Sequence, residues 1–439
     1  MSSRRALGSL AVTACVSAAL VAGAALGLTG CTDAATEPDE QDFLDGKADG
    51  ASTVDVAATR LDVDLATRTA VATIDLEKAG NVVLEAGGLA ITDVTDDRGH
   101  RRYTVTGGKL RVSSVRGPLV VSYGFTQHDM ADGLLPGGST VTWPYHCGNL
   151  FPCHSRTADG LRFELALDGV PAGKKAVYPE AITTDAPPYM LAWAVGTYGK
   201  AVLGTTTAGT KVSIYWLPNG ERSARSGTRR LVAVFDWYER TLGPYAFGKD
   251  VAAVSVVWGE GLYGGMEHHP YWHVAKDAMS DEITQAHEAA HGWFGDGVRL
   301  RCWEDFVLSE GTVSYLAARA LSVVGGPTEE ARVWAEYQQE LDDAIATGSV
   351  TPAWPTGCNQ IDIIDDDLFT NLPYMQGAFF YKDVAAKVGV DALDRVIGAF
   401  YRAHKNQPAS MQQMIDAIKA ATGFDPTPIA RARLRARFL

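Results

Sequence analysis

His287-Glu288-Ala289-Ala290-His291, then eighteen intervening residues and Glu310, is the stretch that decides how this chain of 439 residues is read. Two imidazoles four apart on a helix leave the same face, one turn above the other. That is the reach with which both bind one Zn²⁺, and the Glu between them falls beside the open coordination position as a water-activating base. Ser280 reads as the N-cap of this helix, with Asp281 and Glu282 in a first turn whose dipole favours them. Ile283, Ala286, His287, Ala290, His291 and Phe294 form its inward stripe, and Gly295 and Gly297 end it. A second helical stripe, Trp303, Phe306, Val307, Glu310, Ser314 and Ala317, places Glu310 in the middle of a buried face. A lone carboxylate there is costly to desolvate unless it meets a cation. The plainer alternative is a satisfied pair of core histidines and an unrelated buried Glu. One metal ion held by His287, His291 and Glu310 resolves all three buried polar groups together, and is the reading adopted.

Other segments agree with it in order and spacing. Upstream stands Gly264-Gly265-Met266-Glu267-His268, and between the candidate ligands Trp303-Glu304-Asp305-Phe306-Val307-Leu308-Ser309-Glu310-Gly311. Downstream is Pro373-Tyr374-Met375-Gln376-Gly377, and in the first half Asn149-Leu150-Phe151-Pro152-Cys153. With the HExxH pair, these resemble the gluzincin aminopeptidases, the group containing aminopeptidase N and the leukotriene-hydrolase aminopeptidases. The matching family segments are G-[AG]-M-E-N, W-x-D-x-W-L-N-E-G, P-Y-x-K-G and F-P-C. The resemblance runs from roughly residue 55 to 439.

It implies a thermolysin-like catalytic domain holding one zinc ion and acting on peptides. Glu288 would be the general base, Tyr374 the hydroxyl facing the developing oxyanion, and Glu267 the anchor of the substrate's free α-ammonium. Gly264, Gly265 and His268 would lie along the substrate, the glycines letting backbone approach it closely. Three departures bear on specificity. His268 and Ser309 each stand where the family has Asn. The region Val141–His146 lacks the Gln that helps hold the amine, and Ser155 replaces an acidic residue. The chain also stops after what reads as the catalytic domain's last helices, from which a more open cleft is expected. An endopeptidase with the same site chemistry therefore stays open as a second reading. A surface-binding lipoprotein retaining a zinc-site relic is a third, against which intact Glu288 and Tyr374 argue.

Arg4 and Arg5 precede an apolar run from Ala6 to Leu28 that closes in Leu28-Thr29-Gly30-Cys31. That order reads as a bacterial lipoprotein signal peptide over residues 1–30, with Cys31 acylated, and not as a retained membrane helix. Residues 31–52 are acidic with Gly and Pro, a flexible tether. The expected address is the cell envelope, facing an extracytoplasmic compartment, with the lipid the only membrane contact. Losing Arg4 and Arg5 takes the formal charge from −13 to −15, which disfavours nucleic acid as a partner. Of six cysteines, Cys15 leaves with the signal and Cys31 carries lipid. The other four suit an oxidising compartment and allow three pairings. The pairing expected is Cys147–Cys153 and Cys302–Cys358, with buried free thiols as the alternative.

Residues 53–203 alternate apolar and polar in short runs broken by Gly87-Gly88, Gly107-Gly108 and Gly137-Gly138, the pattern of an all-β, sandwich-like domain. Strands are expected at Val54–Leu65, Ala70–Leu76, Tyr103–Val105, Leu119–Tyr123 and Leu161–Leu167. Residues 204–439 open with strands Lys211–Leu217 and Val251–Trp258 around a helix at Arg230–Leu242, then turn helical, making an α+β, mainly helical domain. Helices are expected at Pro327–Ile345, Gly377–Val388, Asp391–His404 and Met411–Thr422, with Arg431 to Arg437 on a last one. Asp362, Asp365, Asp366 and Asp367 lack calcium-loop spacing and read as a solvated turn. His269 and His273 read as pocket lining.

Overall fold

The computed structural model describes residues 44, 52, 54–126, 132–142, 147–259, 263–348, 353–354, 357–359, 361, 368 and 370–435. The signal segment, Cys31, the segment Trp143–His146, the acidic run 362–367 and Arg437 lie outside the described residues, as does nearly all of the tether.

Period-two burial builds the first domain. Thr59, Leu61 and Val63, Ala70, Ala72 and Ile74, and Leu119, Val121 and Tyr123 point to one face of neighbouring strands, and polar residues point away. The main sheet runs in the order Ala181–Ala186, Leu161–Asp168, Val56–Asp64, Thr69–Leu76, Leu119–Phe125, Leu89–Asp96, Gly99–His100. Its first and fifth long strands in sequence, Val56–Asp64 and Leu161–Asp168, pair in parallel; Val56–Asp64 with Thr69–Leu76 is an antiparallel hairpin. A three-stranded sheet, Gly80–Glu85, Lys109–Val115 and Tyr103–Thr106, contributes Val82, Leu84, Leu110 and Val112 to the same core. Every strand anticipated here is present, with ends shifted by up to two residues.

The second domain opens on a five-stranded sheet in the order Gly199–Thr205, Lys211–Trp216, Asp250–Val256, Tyr271–Ala275, Gly265–Met266. Its three inner strands are parallel, and helix Leu231–Thr241 makes the crossover between two of them. Because that sheet starts at Gly199, a division at 203/204 falls inside its first strand; the domains part just before residue 199. Gly265–Met266 is the outer strand, antiparallel to Val274 and His273. Among the described residues its outer edge has no strand partner, and it lies next to the helix Glu282–Ala290.

Two glycines set how the remaining helices cross. Gly311 on Phe306–Gly325 and Gly377 on Asn371–Val388 meet face to face. A Cβ on Gly377 would lie 2.4 Å from the Gly311 Cα, and one on Gly311 would lie 2.7 Å from the Gly377 Cα. The helix bearing Gly377 begins at Asn371, six residues earlier than the periodicity indicates, so Tyr374 is helical and stands almost one turn before the crossing. Pro373 obscures this in the sequence, yet a proline in a first turn removes only an N–H that has no partner there.

The domains are fastened by Arg299. Its buried side chain donates to the carbonyls of Ala158 at 3.2 Å and Asp185 at 3.3 Å. Gly160 leaves room for it, since a Cβ there would lie 2.3–2.5 Å from the guanidinium. Asn406 adds a bond to Thr184 at 2.6 Å. Both expected disulfides are formed, Cys147–Cys153 and Cys302–Cys358. The second ties the turn before the Glu310 helix to the segment before Tyr374.

Candidate metal centre and active site

The helix carrying the two histidines spans Glu282–Ala290. Its N-cap is Asp281, not Ser280: the Asp281 carboxylate accepts from the Ile283 N–H at 2.9 Å and from the Thr284 hydroxyl at 2.6 Å. The helix also stops sooner than its apolar stripe suggests, and His291 is its C-cap. Beyond it the chain turns through Gly295 at φ +101°, where a Cβ would come within 2.7 Å of the His291 ring and 2.6 Å of Ser309.

His287 Nε2, His291 Nε2 and Glu310 Oε2 converge. The separations are 3.0 Å from His287 to Glu310, 3.4 Å from His291 to Glu310, and 3.2 Å between the two imidazoles. Donors about 2.0–2.1 Å from a tetrahedral zinc ion lie about 3.3 Å apart, so this trio has the size of one face of a zinc coordination shell. The opposite ring nitrogens fit as well. His291 Nδ1–H donates to the Phe294 carbonyl at 3.0 Å, and His287 Nδ1–H faces the Ser314 hydroxyl at 3.3 Å. Each bond leaves Nε2 bare and aimed at the shared point, the outer-shell arrangement that metal-binding histidines use. Burial opposes ionisation of Glu310, but His291 and His287 outweigh it and hold the carboxyl down to about 2. The donor set thus fits Zn²⁺.

Glu288 lies beside the trio, buried, with Oε2 making no hydrogen bond among the described residues. Burial pushes its carboxyl well up; His291 opposes this, and Glu267 and Glu310 add to it. A carboxyl raised in this way takes up a proton more readily than a free glutamate. Glu267, at the end of the outer strand, brings a carboxylate oxygen to within 4.8 Å of donor atoms of both Glu288 and His291. Tyr374 stacks on the His287 ring, with centroids 6.0 Å apart, and packs edge-on against Phe306. Gly264, Gly265, Glu267, His287, Glu288, His291, Glu310 and Tyr374 all line one cleft of about 330 Å³, with Asp281, Thr284, Ser314 and Glu340 toward one side. Gly265 packs directly on the base, since a Cβ there would lie 2.5–2.7 Å from the Glu288 side chain.

Three histidines stand elsewhere than the sequence places them. His268 does not reach the cleft. It is buried, its Nε2–H donates to the Thr142 carbonyl at 3.1 Å, and its Nδ1 meets His273 Nδ1 at 3.1 Å. Just past the strand Gly265–Met266 the chain turns, the His268 N–H donating to the Met266 carbonyl at 2.8 Å and the His269 N–H to the Glu267 carbonyl at 2.6 Å, and Glu267 lines the cleft while His268 does not. His273 and His269 are also fully interior and line no part of the cleft. Burial lowers His268 to about 4 and His269 to about 3, so these rings are neutral.

Sequence reasoning also missed two groups behind Glu267. Tyr189, from the first domain's Pro188–Met190 turn, faces the Glu267 and Asp296 carboxyls, and all three are buried. Burial raises Asp296 well above the usual carboxylate range, and neighbouring Glu267 raises it further. Their only signal in the sequence was an acidic residue in an otherwise apolar and glycine-rich segment, Trp293 to Val298.

A mainly helical domain with an HExxH helix, a carboxylate supplied by a following helix, and a β domain packed against it is the fold of two-domain zinc metallopeptidases. Residues 268–432 match the model of the peptidase family M1 domain. The chain is 25% identical over 285 residues to leucine aminopeptidase 2 of Aspergillus niger, covering 60% of this chain and 45% of that protein. It thus spans less than half the length of the curated relatives it matches first. In fold it is similar to a Glu-to-Ala mutant of a two-domain M1 zinc metallopeptidase bound to L-tryptophan. The TM-score is 0.73 at 17% identity, with 88% of this chain and 95% of that one covered. A similar mutant from Deinococcus radiodurans, bound to a Tyr-Ser-Ala substrate, superposes with TM-score 0.68 at 18% identity over the same shares.

Proposed function

We propose that this protein is a zinc-dependent aminopeptidase that removes N-terminal residues from peptides. The observation that carries this reading is Glu267. Its buried carboxylate sits within 4.8 Å of Glu288 and His291, so an α-ammonium held there sets the first peptide bond, and no later one, beside the metal donors and the base. The substrate-bound D. radiodurans relative supports a peptide in this cleft. His287, His291 and Glu310 would hold one Zn²⁺, which when bound would supply Lewis acidity toward a carbonyl and a water. Glu288 takes the proton of the attacking water and hands it to the departing amine. Tyr374 gives the developing oxyanion a hydroxyl donor. The unpaired edge of Gly265–Met266 accepts the substrate as an added strand.

The envelope address belongs to the same proposal. It is supported by the lipobox-like Leu28-Thr29-Gly30-Cys31 and by two disulfides, which persist in oxidising compartments. Its check is mass spectrometry of the N-terminal peptide from the native membrane fraction, where an unmodified Cys31 would refute it.

The deciding experiment compares a free-amine aminoacyl amide with its N-acetylated analogue. Hydrolysis of the free amine alone is expected, and preference for the blocked substrate would replace this reading with an endopeptidase. Glu288→Gln should keep zinc and lose turnover by about 10²–10⁴-fold, the usual worth of a positioned base; full activity would remove that role.

A further inference from the structure

His269 is a buried histidine whose chemistry the proposed reaction does not use, and its two ring nitrogens have different partners. Nε2 lies 2.8 Å from the backbone carbonyl of Glu288. Nδ1 lies 2.8 Å from the Tyr245 hydroxyl. A carbonyl only accepts, so Nε2 carries the proton. In a neutral ring Nδ1 is then bare, and the Tyr245 hydroxyl must donate to it. Burial depresses the His269 pKa to about 3, consistent with a neutral ring at every working pH. The proton therefore has one arrangement: Tyr245 fixes the tautomer, and the tautomer delivers an N–H to Glu288.

The receiving carbonyl is not an ordinary one. Glu288 lies in the last turn of Glu282–Ala290, where helix carbonyls run out of backbone donors. An N–H from outside the helix replaces what the backbone there does not supply, at the residue whose side chain is the general base. The surroundings are built to hold it. A Cβ on Gly292 would lie 2.5 Å from the Tyr245 ring and 3.2 Å from the His269 ring, so only glycine lets the pair lie against the chain next to His291. Trp272 packs on the His269 ring at 5.2 Å and Trp293 on the Tyr245 ring at 5.5 Å, leaving neither ring an alternative position.

We propose that His269, with its tautomer set by Tyr245, is a positioning residue for Glu288: its Nε2–H clamps the end of the metal-binding helix and so fixes the base over the reacting bond. The inference rests on the aminopeptidase reading for its kinetic test, and on ring chemistry alone for its second test. His269→Phe keeps the size and removes the donor. His269→Gln restores an N–H the same number of bonds from the backbone. A displacement approaching 1 Å at a catalytic group costs up to about 10²-fold in rate, so His269→Phe should lower kcat by about ten-fold or more. KM for a free-amine aminoacyl amide and zinc content should be unchanged, and His269→Gln should recover most of the rate. Tyr245→Phe should lower kcat in the same sense by a smaller factor.

A merely structural ring would lower thermal stability without this split between kcat and KM. Native kcat in His269→Phe, or a loss in His269→Gln equal to that in His269→Phe, overturns the proposal. The second test applies even where His269→Phe fails to fold. In ¹⁵N spectra of the histidine-labelled full chain, the signal that disappears in His269→Gln must show a protonated Nε2 and a bare Nδ1 at neutral pH. The other tautomer, or a charged ring, overturns it. A native protein that hydrolyses no aminoacyl amide would instead sink the proposed function, and the ring-nitrogen result would still judge the clamp.

Discussion

Gly377→Ala isolates the contact that carries Tyr374 to the site. The added methyl would lie 2.4 Å from the Gly311 Cα and 2.9 Å from Val307 Cγ1. Backbone cannot yield as a side-chain tip does, so the two helices must part by about 1 Å to reach an ordinary contact. Overpacking of this kind costs about 1–3 kcal/mol. Replacing a mid-helix glycine by alanine returns about 1 kcal/mol in helix propensity. The net loss is up to about 2 kcal/mol, a fall in Tm of up to roughly 8 °C for a domain of this size. The kinetic effect is larger, because Tyr374 stands nearly one turn before the crossing and moves with its helix. A shift of about 1 Å at a group aimed at a developing charge costs up to about 10²-fold. His287 and His291 belong to another element and Glu310 to the partner helix Phe306–Gly325, so the zinc content should stay at that of the native protein where Asn371–Val388 is the helix that gives way. The assay is steady-state hydrolysis of a chromogenic aminoacyl amide, with metal analysis and thermal melts of the same samples. Unchanged kcat, or a loss of activity that tracks a loss of zinc, would refute the reasoning.

Other outcomes follow from single residues. Tyr374→Phe should lower kcat by about 10²–10³-fold with little change in KM, the usual worth of one oxyanion donor; a pure KM effect would make Tyr374 a binding residue. Glu267→Ala should raise KM for free-amine substrates and leave blocked substrates no worse, and an unchanged profile would reassign it. Glu340, at the cleft's outer side, has its carboxyl pushed up to about 7 by burial and by neighbouring Glu336 and Asp281. The folded-state value lies above the unfolded value near 4.5, so stability from this group is complete below about pH 4.5 and is lost as pH rises toward 7. Glu340→Gln should therefore melt higher than the native protein above pH 7, by about 1 kcal/mol after screening at this half-buried position, with the gain vanishing near pH 4. Chemical melts at the two pH values check it, and an equal difference at both would contradict it. Replacing both Cys302 and Cys358 by Ser, which opens a loop spanning 56 residues, should cost up to about 4 kcal/mol.

What could be read from the sequence was what repeats or pairs locally. Alternation in Val56–Asp64 and Leu119–Phe125 gave the β domain, and two histidines four apart with Glu310 on the next helix gave the metal trio. Glu310 was legible because an unpaired carboxylate on an apolar stripe demands a partner. The helix start was one residue off because Ser280 and Asp281 are both good caps, and only geometry shows which carboxylate or hydroxyl reaches the Ile283 N–H. The Tyr374 helix starts at Asn371, ahead of Gly377, because Pro373 sits in its first turn, where a missing N–H has no partner to lose. His268 is placed along the substrate by its position in a motif, whereas the turn after Met266 and a bond to the Thr142 carbonyl hold it in the interior. Tyr189 and Asp296 met across a domain boundary, which no local pattern reports.

The account stands on one ion between His287, His291 and Glu310. Crystals of the native, active protein measured on both sides of the zinc absorption edge test this most directly. A single anomalous peak bonded to His287 Nε2, His291 Nε2 and the Glu310 carboxylate, absent from Glu310→Ala, is the predicted result. An active protein with no peak there, or with its zinc at another site, would contradict it.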